Sequence, residues 1–356
     1  MITVKVKDYP LAEILPGMKL GKEIVTDSGQ VILAQHTILT EWMIERLQEW
    51  GFNSIYIHEE IKEDQNTALA EEQKYYIEEH AKILGLIDSA FQKTRNIKEV
   101  PISQINDIAD CTIKNLLSLN AVISYLHLIN TKDDYTFRHS LNVAVICGVI
   151  GKWLHFSEDK LRDVVLAGLL HDIGKTRIPV EILNKPAKLS TNEMSFMKQH
   201  PMLGYELVFG SKEIAAPVKM AILQHHERLD GTGYPQGLFK NDITQEGKIV
   251  AVADTYDAMT AHRIYRTALT PFLVMEELLQ EMFGKLDAEI CMLFINNTKD
   301  ALVGSKVRLN NGAEGKIIFI NKEYNIKPII QTSEGKCIEL KNEKDIEIVA
   351  FVSDIK

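Results

Sequence analysis

Cysteine is scarce in this sequence. Its 356 residues hold four, Cys111, Cys147, Cys291 and Cys337, far apart and with no Cys-x-x-Cys pair. That excludes a disulfide scaffold and points to reduced thiols in a cytosol-like compartment. Proline and glycine are few as well, at 10 and 20 residues, which excludes collagen-like and low-complexity chains. Basic charge is not in excess. The 40 Lys and Arg stand against 49 Asp and Glu, a formal charge of −9. This argues against general DNA or RNA binding, because neutralising many phosphates requires a basic face. Long apolar runs are missing too, since the most apolar stretch, Val143 to Ile150, is closed by Lys152 and His155 and is too short to span a bilayer. Met1 to Asp8 alternates valine and lysine as a strand does, unlike a secretory signal. The expectation is a cytoplasmic protein with no membrane span.

What is present is ordinary globular material, 46% hydrophobic and 25% charged. The length suits about two domains, perhaps three small ones, at roughly 150 residues each. Residues 1–58 read as a small α+β module, suited to regulation or docking. Leu20 to Val25 and Val31 to Ala34 flank the turn signal Asp27-Ser28-Gly29, and Ile55 and Ile57 alternate as a strand. Between them Thr40 can cap a helix whose Met43, Leu47 and Trp50 share a face and which Gly51 stops. His36 and His58 read as surface residues. Residues 59–100 form a polar linker and a long amphipathic helix, with Tyr76, Ile83, Ile87 and Phe91 at helical spacing and His80 as an exposed residue. Its apolar stripe suits the next domain or a second subunit. Residues 101–296 keep helical periodicity almost throughout, with loops at Gly174 to Pro186 and Asp230 to Gly237. Residues 302–356 change to short apolar runs separated by Asn311-Gly312, Glu314-Gly315 and Glu334-Gly335, a small β domain.

The helical middle concentrates side chains that bind metals. His139 lies near the start of one helix, His171 and Asp172 end a second that Ser157 can cap, and His200 precedes Pro201. His225 and His226 end another helix, and Asp254 lies in the one carrying Ile249, Val250 and Val252. Ligands at helix ends can converge on one cleft of a bundle. Imidazole and carboxylate without thiolate suit iron, manganese or zinc. Asp172 has two oxygens and could bridge two ions, and Lys175 lies one turn beyond His171 if the helix persists, where it could neutralise a phosphoryl oxygen. Gly231 and Gly233 allow close approach of backbone to a ligand, and a plain turn is the alternative. Tyr234 could stack on a base or reach a phosphate. Arg263 and Arg266, three apart, share a helix face that suits a phosphate or a surface ion pair equally. Asp257 reads as a partner behind the ligands or as a helix partner, not as a ligand itself.

His171-Asp172-x-x-Lys175 and His225-His226-Glu227-Arg228-x-Asp230-Gly231-x-Gly233-Tyr234-Pro235 resemble the HD-GYP family, a branch of the HD-domain metal phosphohydrolases. Ile182 to Pro186, His200-Pro201 and Asp254-x-x-Asp257-Ala258-Met259-Thr260 with Arg263-x-x-Arg266 extend the likeness over roughly residues 130 to 296. The resemblance implies a mainly α fold, an HD-type helical bundle, and a phosphodiesterase that opens cyclic di-GMP to linear pGpG, onward cleavage to GMP being left open. It implies His139, His171, Asp172, His200, His225, His226 and Asp254 as ligands of iron or manganese. Lys175 and Asp172 take catalytic roles, and Tyr234, Gly233, Arg263 and Arg266 substrate contacts. Where some relatives carry a glutamate four residues before the first histidine, this sequence has Tyr135, so two divalent ions are expected instead of three. Ile264 stands at a position commonly proline, and His262 replaces an acidic residue, so substrate fit can differ. Lys175, Arg177, Lys185, Arg263 and Arg266 would let an acidic protein accept a dianionic substrate. Two alternatives stand beside this expectation: hydrolysis of another cyclic dinucleotide such as cyclic GMP-AMP, and a nucleotide-responsive binding or scaffold protein. A homodimer or a signalling protein is the partner expected beyond the nucleotide.

Overall fold

The side-chain oxygen of Thr40 accepts from the Met43 amide and starts the helix Glu41–Glu49, and Gly51 (φ +79°) ends it. The computed structural model that shows this describes residues 4–25, 31–33, 35, 37–60, 65–118, 123, 126, 135–260, 269–320, 326–332, 335–343 and 345–352. The chain divides into two units, residues 1–69 and 70–356. In the first, strand Val4–Pro10 pairs antiparallel with Ser54–Glu60, and Ile24–Val25 pairs with Val31–Leu33. Leu20, Leu39, Ile44, Leu47, Ile55 and Ile57 form its core. Trp50, expected on the buried face of the helix, is 54% exposed. It lies past the last helical turn, at the cap, where the chain already turns outward. His58 is half-buried on its strand, and His36 and the turn at Asp27-Ser28-Gly29 lie outside the described residues.

The second unit is mainly helical. Tyr76, Ile83, Ile87 and Phe91 of the helix Gln65–Ile97 are buried, so the stripe packs on the helices that follow in the same unit. His80 is buried with them, at 1% exposure, contrary to expectation. It follows Tyr76 by four residues and therefore lies on the same face. The centre of the unit is the helix Tyr135–Trp153 packed on Glu158–Leu170. Gly168 permits this approach, because a Cβ there would lie 2.6 Å from the Ala144 Cα. Gln245–Thr260, buried along most of its length, packs on both. The segment expected as a loop after Gly174 contains a 3₁₀ turn, Ile173–Arg177, and a short helix, Val180–Leu183.

Five antiparallel strands close the chain, in the order Cys337–Glu339, Pro328–Thr332, Glu314–Ile320, Lys306–Leu309, Ile348–Phe351. Val307, Leu309, Ile317 and Ile330 join the same hydrophobic cluster as the helices. Glu314-Gly315, expected as a turn, lies inside a strand. A Cβ on Gly315 would stand 2.5 Å from Ile330 Cγ2, so glycine there serves close packing of neighbouring strands. No helix among the described residues is long and apolar enough to cross a membrane.

Candidate metal centre

His139 comes from the first turns of Tyr135–Trp153, and His171 and Asp172 directly follow Glu158–Leu170. His200 opens the helix His200–Phe209, His225 and His226 follow Ala216–Gln224, and Asp254 lies within Gln245–Thr260. The helix before His171 does not persist to Lys175. It gives way to the 3₁₀ turn, which brings the Lys175 ammonium back to donate to Asp172 Oδ2 at 2.5 Å.

These seven side chains converge from distant parts of the chain. His171 Nδ1 donates to the Gly168 carbonyl at 2.8 Å, His200 Nδ1 to Met197 at 2.7 Å, and His225 Nδ1 to Ile222 at 2.8 Å. Each carbonyl is three residues back, at the end of a helical turn. His139 Nδ1 lies 2.7 Å from Asp257 Oδ2, again as donor. With Nδ1 committed, each of the four rings turns its Nε2 inward. His200 Nε2 and His225 Nε2 are 3.2 Å apart, and two lone pairs so opposed repel unless a cation lies between them. His139 Nε2 is 3.0 Å from Asp254 Oδ1, and His226 Nδ1 is 3.8 Å from Asp254 Oδ2. Asp172 stands in the middle. Its Oδ2 faces His171 Nε2 at 3.3 Å and His139 Nε2 at 3.8 Å, while its Oδ1 faces His200 Nε2 at 3.3 Å. His171 Nε2 and Asp172 Oδ1 are buried without a hydrogen bond. The sets His139–His171–Asp254, His171–Asp172–His225 and His200–His225–His226 each bring their ligand atoms within 4.8 Å of one another. Nitrogen and carboxylate donors so arranged fit divalent cations on both sides of Asp172.

The electrostatics of the groups match that fit. Burial alone would raise the Asp172 carboxyl, but His171 and Lys175 hold it well below the usual range. Asp254 is likewise held low against its burial by the hydrogen bond and charge of His139. Burial pushes His200 down to about 4 and His226 to about 3, and it depresses His225 strongly. These rings are neutral at neutral pH, with lone pairs free for a metal. His139 differs. Its burial is outweighed by Asp254 and Asp257, which raise it to about 9. Below that pH the metal-free protein carries a proton on His139, and a metal must displace it. The affinity for Mn²⁺ should therefore rise with pH, about tenfold per unit for one displaced proton. Chelator competition across neutral pH measures this, and an affinity independent of pH would contradict it.

The loop after the histidine pair is held from within. Buried Glu227 accepts from the Gln236 amide at 2.7 Å and from the Leu238 amide at 2.9 Å. A Cβ on Gly233 would collide with the Arg228 nitrogen and lie 2.6 Å from the Glu227 carbonyl carbon. The close approach that Gly233 permits is thus to the protein's own backbone. The Tyr234 ring lies 4.7 Å from the His226 ring, and Lys198 Nζ lies 5.1 Å from the Tyr234 centroid. Lys175, His226 and Tyr234 are partly exposed and form the open edge of the cluster. The expected basic set is partly neutralised: Arg177 Nη1 is 3.8 Å from Glu206 and Lys185 Nζ is 2.6 Å from Glu193. Arg263 and Arg266, with His262 and Ile264, lie outside the described residues, as does the side chain of Tyr135. Sequence reasoning missed Glu227 as the anchor of the loop, Lys198 beside Tyr234, and Asn142, whose amide donates to Asp257 Oδ1 at 2.8 Å. Glu227 lies within the motif itself, but only distances through space reveal what it holds.

The HD domain family matches residues 124–290. The chain is 33% identical over 231 residues to the cyclic di-GMP phosphodiesterase PA4108 of Pseudomonas aeruginosa, covering 65% of this chain and 55% of that protein. It is 34% identical over 223 residues to the cyclic di-GMP phosphodiesterase response regulator RpfG of Xanthomonas campestris, covering 62% of this chain and 55% of that protein. It is 32% identical to the 3'3'-cGAMP-specific phosphodiesterase 1 of Vibrio cholerae over 52% of this chain and 43% of that one. The chain thus spans little more than half the length of the first two relatives. The solved structure of Bd1817, an HDG"Y"P protein from Bdellovibrio bacteriovorus, shares the fold, with a TM-score of 0.51 over 82% of this chain and 98% of that one, at 18% identity. The HD domain match and these relatives agree with the histidine–aspartate cluster, and residues 124–290 of the chain are similar to an HD domain.

Proposed function

We propose that this protein is a metal-dependent phosphodiesterase that hydrolyses cyclic di-GMP to linear pGpG. The observation that carries the reading is Asp172, whose two oxygens face separate groups of histidines with inward lone pairs. His139, His171, Asp172 and Asp254 would hold one ion, and Asp172, His200, His225 and His226 the other, with iron or manganese the identity we favour. Bound divalent ions would supply Lewis-acid polarisation of the phosphoryl group and a nucleophilic water at neutral pH. The chain's own residues do the rest. Lys175, at the open edge, leaves Asp172 to offset charge gathering on a nonbridging oxygen. Burial raises the Tyr234 phenol far above its ordinary value, so its hydroxyl stays protonated and donates. Its ring, beside His226, offers a face to a base. Glu227 fixes the loop that presents Tyr234. We assign Arg263 and Arg266 to the phosphate on the likeness of their motif, and the activity to the cytoplasm, in keeping with four cysteines that form no disulfide.

The names of PA4108 and RpfG support cyclic di-GMP as substrate. The name of the Vibrio cholerae relative supports a second reading, 3'3'-cGAMP. Anaerobically purified protein, given the two nucleotides in competition while its iron and manganese are measured in the same sample, separates them. We expect two ions per chain and faster loss of cyclic di-GMP. Preferential loss of cGAMP would move the assignment to the second reading. Tight binding without turnover in metal-replete protein would replace catalysis with a sensing role, and three tightly held ions would overturn the count.

A further inference from the structure

The helix Gln65–Ile97 carries one imidazole into the core. Burying such a group among Tyr76, Ile83 and Ile87 costs free energy unless it is hydrogen-bonded. His80 Nε2 lies 3.0 Å from Asn142 Oδ1, Asn142 Nδ2 donates to Asp257 Oδ1 at 2.8 Å, and Asp257 Oδ2 accepts from His139 Nδ1 at 2.7 Å. The direction of this relay is set by its middle. A carboxylate only accepts, so the Asn142 amide nitrogen faces Asp257, the Asn142 oxygen is the acceptor, and His80 Nε2 carries the hydrogen. Asp257 then receives one donor on each oxygen. His139 must donate through Nδ1, which turns its Nε2 toward Asp254 and Asp172.

We propose that His80 is a positioning residue that, through Asn142 and Asp257, fixes the ring orientation and tautomer of His139 and so sets the metal affinity of the centre. The same helix also reaches the turn that carries Lys175, where Arg95 Nη2 donates to the Lys175 carbonyl at 3.4 Å. Arg95 is about 22 Å further along the helix at 1.5 Å per residue. The helix thus braces both the His139 ring and the turn that carries Lys175. A hydrophobic side chain at position 80 would suit the apolar stripe better, and the relay accounts for the histidine.

The inference rests on the reading of His139 as a metal ligand, and its test reads metal binding without nucleotide. In the full chain, His80→Gln keeps an N–H that can reach Asn142, while His80→Met has a similar length and shape and no donor. We expect His80→Met to weaken Mn²⁺ binding, measured by chelator competition, by about tenfold or more, and His80→Gln to stay near the wild type. A role in packing alone predicts equal affinities for the two, and that result would overturn the proposal. Asn142→Ala should lower the affinity as His80→Met does, and combining the two should cost little more, because the relay is already cut. Fully additive losses would overturn it as well. Failure of the wild type to hydrolyse cyclic dinucleotides would sink the proposed function and leave these affinity comparisons intact.

Discussion

Asp172→Asn should abolish hydrolysis of the cyclic dinucleotide while the chain still folds. The amide has nearly the shape of the carboxylate, so no cavity opens at this wholly buried position. What changes is charge and donor character. One of the two oxygens, facing either His171 and His139 or His200 at 3.3 to 3.8 Å, becomes an NH₂ group. An NH₂ cannot ligate a cation there, and the negative charge between the two histidine groups is gone. Lys175 also loses the negatively charged acceptor that holds its ammonium at 2.5 Å. Metal content should fall below two ions per chain, turnover should fall below detection, and circular dichroism should match the wild type. His171→Ala should likewise remove activity, through the loss of one inward lone pair. A well-folded Asp172→Asn protein that keeps two ions and full turnover would refute the bridging role.

Gly174→Ala should be the most damaging small substitution in the second unit. A Cβ at this position would collide with the His200 carbonyl oxygen and lie 2.5 Å from the Gly204 nitrogen. Both are backbone atoms, so no side chain can rotate away. The 3₁₀ turn and the helix His200–Phe209 would have to separate by about an ångström to restore contact distance. The strain should cost about 3 kcal/mol, read as a lower midpoint in urea. The same separation would draw His200 Nε2 away from Asp172 and His225, so metal affinity should fall even in the fraction that folds. Gly210→Ala, at a position with nothing within 4 Å of the added carbon, is the control. An alanine at 174 that leaves both the urea midpoint and the metal affinity at wild-type values would show that the helix yields freely.

The helices of the second unit were legible because their apolar spacing and caps are local. Ser157 accepts from the Lys160 amide as its place before an apolar run suggests, and Tyr76, Ile83, Ile87 and Phe91 line the buried stripe that their spacing predicts. Residue type misled where it spoke against position. His80 reads as exposed because it is polar, yet its spacing from Tyr76 places it inside, and its partner lies 62 residues away. Trp50 reads as core because it is apolar, yet it falls just past the last turn. Gly233 and Gly315 mark close approaches, but the atoms they approach, in Glu227 and Ile330, are named only by packing.

The sequence by itself determined the class of the fold, the small sheet at the end of the chain and the kinds of side chain offered to a metal. These follow from periodicity, turn residues and motif spacing, which neighbouring residues carry. Tertiary structure alone decided which atoms meet: which oxygen of Asp172 faces which histidines, which ring nitrogen each histidine turns inward, and that His139 is held by Asp257 across 118 residues. Such pairings depend on how three buried helices pack against one another. That packing is a property of the whole core, and no local stretch of sequence encodes it.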